Sequence, residues 1–318
     1  MANFEETPNP KKTSKQKVWD AVKLILKIVV TSALLYYVFS KVPISKVKDR
    51  LVHANYWWML AGLVCFFVST MVSSWRLLSF FKSIDLNLSR RFNFRLYLLG
   101  LFYNFLLPGG IGGDGYKIWL LNKRYKLPAK KVFWAILFDR LSGLWAIGFI
   151  ICALIIFIPQ IDVHLALPGA IFIVGSIIYY FVAYKFFRDY TRHFFVAHAK
   201  AILVQGMQVL TIIFVLFGQN FDGKFAPYLL SFLVSALAAV VPITIGGAGA
   251  RETIFTQLSA IFNMDVGLAV FLSVSFYLIS LVVALTGIYY VIRTSRLTAG
   301  LPGIEETEPE TDTTPKAN

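Results

Sequence analysis

Two glycine-rich runs carry the residue types that could hold a phosphate. The first is Pro108-Gly-Gly-Ile-Gly-Gly-Asp-Gly-Tyr-Lys117, and the second is Pro242-Ile-Thr-Ile-Gly-Gly-Ala-Gly-Ala-Arg251. Both read P-x-x-I-G-G-x-G-x-[K/R], about 134 residues apart. Proline removes a backbone donor and ends the preceding helix. Gly112, Gly113 and Gly115, like Gly246, Gly247 and Gly249, permit positive φ and the close approach of a ligand. A helix starting after each run would aim free N–H groups, and its positive dipole end, at an anion. Lys117 and Arg251 then fall in a first turn, where a cation is unfavourable unless an anion lies near. The competing reading is that the glycines serve tight helix packing and the cations reach water.

Acids accompany both runs. Asp114 precedes Lys117 by three residues, a spacing that can pair them on one helix face. Ala248 stands in its place in the second run, where Glu252 follows Arg251 instead. These carboxylates either take protons or cations to drive a cycle or simply neutralise their neighbours. Asp139 and Arg140 lie about two turns into another apolar stretch, where ionisable groups are costly and usually face a bundle interior. Arg140 is expected to pair with Asp114 or with a lipid headgroup. Arg76 lies near the end of its span and could snorkel to the interface. Asn104, one turn before Pro108, could satisfy backbone groups freed by the break.

The elements that position these residues follow from composition. The chain of 318 residues is 57% hydrophobic and 15% charged, with mean hydropathy +0.66. Recurrent apolar runs of 18 or more residues predict an all-α polytopic membrane protein. Continuous rather than alternating apolar runs exclude a β-barrel. Six complete spans are expected, near 20–40, 57–81, 132–158, 165–186, 199–218 and 266–292. Segments 94–122 and 226–262 carry the glycine runs and are expected to be re-entrant or broken hairpins, which gives six to eight spans. Residues 1–17 and the acidic tail 296–318 read as disordered. Between them, 18–295 forms one domain of two repeats, about 18–160 and 161–295.

The net charge of +14 reflects cations at span ends rather than a nucleic-acid surface, since no recognition module is visible. If both hairpins return to their own side, cytoplasmic segments hold nineteen cations and outside segments five. That asymmetry favours cytoplasmic termini and an inner (plasma) membrane protein. The two halves are then inverted, and their glycine breaks are expected to share one mid-membrane cavity. The basic stretch 41–50 falls outside in this scheme and reads as an amphipathic interfacial segment. Tyr56, Trp57 and Trp58 read as an interface belt. Cys65, Cys152 and the four histidines show no metal-ligand spacing, and no cofactor is expected. Residues 110–115 match G-x-G-x-x-G, but no strand precedes them, so a dinucleotide site is rejected.

Taken together, Asn104…Pro108…Gly112-Gly113-Asp114 with Lys117, then Asp139-Arg140-Leu-Ser-Gly143, then Pro242-x-x-Ile-Gly-Gly-x-Gly-x-Arg251-Glu252, resemble the lysylphosphatidylglycerol synthase transmembrane-region family. This flippase-like domain is also found in the multiple peptide resistance factor. The resemblance covers about residues 20–295, and Arg76 fits an arginine of that family's second span. It implies a lipid flippase-like transporter rather than an enzyme. Arg76, Asn104, Asp114, Lys117, Asp139, Arg140, Arg251, Glu252 and the motif glycines would contact a phospholipid or polyprenyl-linked lipid with an anionic headgroup. A separate lipid-modifying enzyme would be a partner, because no soluble aminoacyltransferase domain accompanies the membrane part. Lys117 stands where an arginine is more usual in the family, which keeps the charge but loses bidentate phosphate geometry. The alternative is a membrane-embedded lipid-modifying enzyme or an accessory subunit of one.

Overall fold

The computed structural model describes residues 44–106, 112–161, 164, 166–240 and 249–297, with isolated positions 29, 32, 36 and 40. Apart from those four positions and residues 296–297, the expected first span, both expected disordered ends and the cores of both glycine runs, including Gly246 and Gly247, lie outside the described residues.

Among the described residues the chain is helical throughout. A short α1 (Ile44–Val52) precedes α2 (Tyr56–Ser83). Next come α3 (Arg90–Leu106), α4 (Gly112–Tyr125) and α5 (Ala129–Ile155). The second half holds α6 (Ala166–Phe186), α7 (Phe194–Gly218), α8 (Phe225–Val240), α9 (Ala250–Ile261) and α10 (Val266–Leu285). Five segments, α2, α5, α6, α7 and the helix run 266–292 starting at α10, are long and apolar enough to cross a membrane. They coincide with five of the six expected spans, with α7 starting five residues earlier than the hydropathy pattern suggests. Each glycine segment has one helix before and one after the residues of the run that are not described.

Whether those segments cross or return is settled by which ends meet. Helices α2 and α7 run antiparallel along their whole length. The Asn55 N–H donates to Gly218 O at 2.8 Å at one end, and the Cys65 thiol lies 3.3 Å from Met207 O midway. Lys200 Nζ donates to Ser79 Oγ at 2.8 Å, and Ser83 Oγ meets His193 Nδ1 at 3.2 Å at the other end. Tyr190, beside that second end, donates to Lys131 O at the start of α5. The chain therefore leaves and re-enters the bundle at the Ser83 end, so α3 and α4 form a re-entrant hairpin.

The second hairpin obeys the same logic at the opposite end. Gln219, just after α7, donates to Arg50 O at 3.0 Å. Asp265, just before α10, binds Arg50 at 2.6 Å. Helices α8 and α9 thus leave and return at the Asn55 end. The packing is also reciprocal between halves: α3 packs on α10 as α8 packs on α5, and α4 on α5 as α9 on α10. This is the inverted repeat that charge counting suggests.

Helix α1 accounts for the basic 41–50 stretch. Val47 is buried while Lys48 and Asp49 are exposed, and α1 lies against α10, an amphipathic segment capping one end of the bundle. The Ser83 end is dense in cations. There, burial, then Arg192, Lys82 and Lys200, hold the His193 imidazole below the ordinary histidine range.

Candidate functional site

A polar cavity of about 120 Å³ opens where four helices of the first half converge. Arg76 comes from α2, and Tyr97, Leu101 and Asn104 from α3. Asp114 and Lys117 come from α4, and Ile136, Asp139 and Arg140 from α5. At 1.5 Å rise per residue, Arg76 sits about 10 Å and Arg140 about 16 Å in from the Ser83 end of their helices.

The charges form two connected sets. Arg76 grips Asp139 with two parallel bonds, Nε to Oδ1 at 2.7 Å and Nη2 to Oδ2 at 3.1 Å. Asp114 receives Lys117 Nζ at 3.1 Å on Oδ1 and Arg140 on Oδ2, at 2.7 Å from Nε and 2.5 Å from Nη2. Asp114, Lys117, Asp139 and Arg76 are all buried. The Arg140 side chain keeps 34% exposure and so stands at the rim. Three cations against two carboxylates leave one net positive charge in a water-poor cavity, where electrostatic interactions are strong.

The folding of the hairpin explains how α4 brings its charges here. Gly113 packs directly on Gly100, where a Cβ would lie 1.9 Å from Gly100 O. Asn104 Oδ1 accepts the Gly113 N–H at 2.9 Å, satisfying a donor that the helix start leaves open. Asp114 occupies the first turn of α4, where a carboxylate is favoured by the dipole. Lys117, unfavourable near that end, is held by Asp114 and by the Tyr97 ring, 4.7 Å away. Asn104→Ala should lower stability by about 1–2 kcal/mol, read as an earlier thermal midpoint in detergent. An unchanged midpoint would show that the Gly113 N–H needs no side-chain partner.

Several sequence expectations are realised here. Arg140 does pair with Asp114, Asp114 with Lys117, and Asn104 does serve the break. Others are corrected. Arg76 does not snorkel: it is only 7% exposed, because Asp139 gives it a bidentate partner inside the bundle. Gly113 serves close helix packing rather than positive φ; among the described residues the positive-φ glycine is Gly249, at 82°. Gly112 begins α4 in helical conformation. Among the described residues the cavity is lined by the first half, and Arg251 and Glu252 are not in its lining. Glu252 accepts from Gly249 N–H at 2.7 Å and Ser273 Oγ at 2.9 Å, which caps α9 and ties it to α10. Arg251 lies over the Phe276 ring, 5.3 Å from its centroid.

Sequence reasoning missed Tyr97 and Gly100. The available signal was helical spacing, since 97, 100, 101 and 104 follow i, i+3, i+4, i+7 and mark one face of α3.

Comparison with known proteins agrees with this architecture. No curated protein matches the chain. The family model for the lysylphosphatidylglycerol synthase TM region matches residues 24–203. That is more than half the chain and includes the whole cavity, but it ends within α7, short of the second hairpin. The match is narrower than the 20–295 over which the motifs suggest resemblance. It covers every cavity residue from Arg76 to Arg140, and the chain belongs to the lysylphosphatidylglycerol synthase transmembrane-region family, a multi-pass membrane family of lipid metabolism or translocation.

Proposed function

We propose that the protein moves an anionic phospholipid or polyprenyl-linked lipid between leaflets. The observation that carries this reading is the buried, net-positive cluster of Arg76, Lys117 and Arg140 with Asp114 and Asp139, set at membrane depth beside a re-entrant hairpin. Charge at that depth is costly unless it serves a pathway or a pair. Here Asp114 is shared by two cations, so an incoming phosphate can take over Arg140 while Asp114 stays neutralised by Lys117. The exchange of partners keeps each buried charge compensated and needs only a rim side chain to move.

In this reading the cation-rich Ser83 end faces the cytoplasm, following the positive-inside asymmetry, and the protein resides in the inner (plasma) membrane. A separate enzyme would make or modify the lipid. Asp114 and Asp139 would be the acids of a lipid-modifying enzyme, but both are committed to cations, which favours transport over proton transfer.

Purified protein in liposomes, with fluorescent phosphatidylglycerol and an impermeant quencher, tests this. Wild type should accelerate leaflet exchange over empty vesicles, and Arg140→Gln should reduce the rate at least tenfold. Equal rates for the variant and wild type would overturn the assignment.

A further inference from the structure

The two halves share a shape but treat their cations differently. In the first half, Arg76, Lys117 and Arg140 each have a carboxylate oxygen within 3.1 Å. Advancing by the repeat offset, Asp114 becomes Ala248, Asp139 becomes Ser273, and Lys117 becomes Arg251. Arg76 and Arg140 become Leu210 and Val274, so the second half keeps one cation, Arg251, and loses both matching acids. Its own acid, Glu252, spends its oxygens on Gly249 N–H and on Ser273 Oγ.

Among the described residues no carboxylate oxygen lies within 4.0 Å of the Arg251 guanidinium, and the neighbouring Glu252 points its oxygens elsewhere. The Arg251 Nη1 nitrogen is buried and has no hydrogen-bond partner among the described residues. The guanidinium rests on the Phe276 face, and such a contact offsets only part of the cost of burying a charge. Arg251 also stands in the first turn of α9, whose N–H groups and dipole add positive potential at the same place. A guanidinium presents a planar fork that suits phosphate oxygens.

We propose that Arg251 and the N-terminal turn of α9 form a second anion site that takes the phosphate of an anionic lipid, distinct from the cavity around Asp114. This rests on the reading that the ligand is an anionic lipid. The two sites are neighbours: Phe105, next to Asn104, packs at a tilt against Tyr277, next to Phe276, with ring centroids 5.6 Å apart. A phosphate passing between them would change hands across this ring pair, from the ion-paired cluster around Asp114 to Arg251.

Thermal unfolding of the full chain in neutral detergent tests the site without any leaflet. Phosphatidylglycerol should raise the wild-type midpoint by roughly 3 °C, and phosphatidylcholine should not. Lys123→Gln, which removes an exposed cation outside both sites, should keep the shift and Arg251→Gln should lose most of it. Ala248→Asp, which restores the carboxylate of the first repeat while leaving Arg251 in place, should lose it too. A full shift in both Arg251→Gln and Ala248→Asp would overturn the site. An equal shift with sodium phosphate and none with the lipid would keep the anion site and overturn a lipid as its source. Because no transport is measured, failure of the leaflet-exchange assay would leave this result standing, and the reverse.

Discussion

Asp114→Asn is expected to cost the protein about 3–5 kcal/mol, the usual penalty for removing one partner of a buried ion pair. Asp114 is paired with both Lys117 and Arg140. Lys117 is 4% exposed and cannot turn to water without carrying α4 away from Gly100. Arg140 stands at the rim, so its share of the penalty is reduced by solvent. The measurement is the thermal midpoint in detergent, alongside leaflet exchange. Adding Lys117→Met to Asp114→Asn should recover most of the midpoint, because an apolar side chain of similar length needs no counter-ion. Exchange should stay lost in the double variant. Recovery of both stability and exchange would show the cluster to be a clamp with no part in transport.

Gly113→Ala should be nearly as damaging, by a purely steric route. The added Cβ would meet Gly100 O at 1.9 Å, Gly100 C at 2.5 Å and Gly100 Cα at 2.7 Å. All three are backbone atoms, so no rotamer change relieves the contact and α3 and α4 must part. Overpacking of this kind costs about 3 kcal/mol, and separation would also pull Lys117 and Asp114 out of register with Arg140. Two neighbours give the comparison. At Gly100 a Cβ would lie 2.4 Å from Lys117 Cε, a side-chain atom that can shift, so Gly100→Ala should perturb the ion cluster more than the hairpin. At Gly115 nothing lies within 4 Å, and Gly115→Ala should stabilise α4 by up to about 1 kcal/mol through helix propensity. Equal midpoints for Gly113→Ala and Gly115→Ala would remove close packing as the reason for the glycine.

Tyr97 and Gly100 show where reading the chain ran out. Nothing in their types marks them as site residues, because tyrosine and glycine are ordinary in membrane helices. Their role depends on α4 folding back so that Lys117 passes over the ring and Gly113 meets the Gly100 backbone. Asn104, by contrast, was legible: a lone amide just before a helix break has few purposes other than to satisfy the freed donors. Arg76 was misread because distance from the span end suggests snorkelling when the partner 63 residues away is unseen.

The sequence by itself determined the helical membrane class, five spans later seen as helices, two helix–break–helix segments, and the first cluster's charged members. Length, apolar continuity and the cost of buried charge are local quantities that one chain displays directly. The tertiary structure decided which groups meet. It joined Arg76 to Asp139, divided Asp114 between Lys117 and Arg140, drew the described lining of the cavity from the first half, and laid Arg251 on Phe276 with no carboxylate in ion-pair reach among the described residues. Those outcomes follow from the antiparallel docking of α2 with α7 and from hairpins entering at opposite ends. Docking depends on contacts between residues far apart in the chain, and one sequence does not display them.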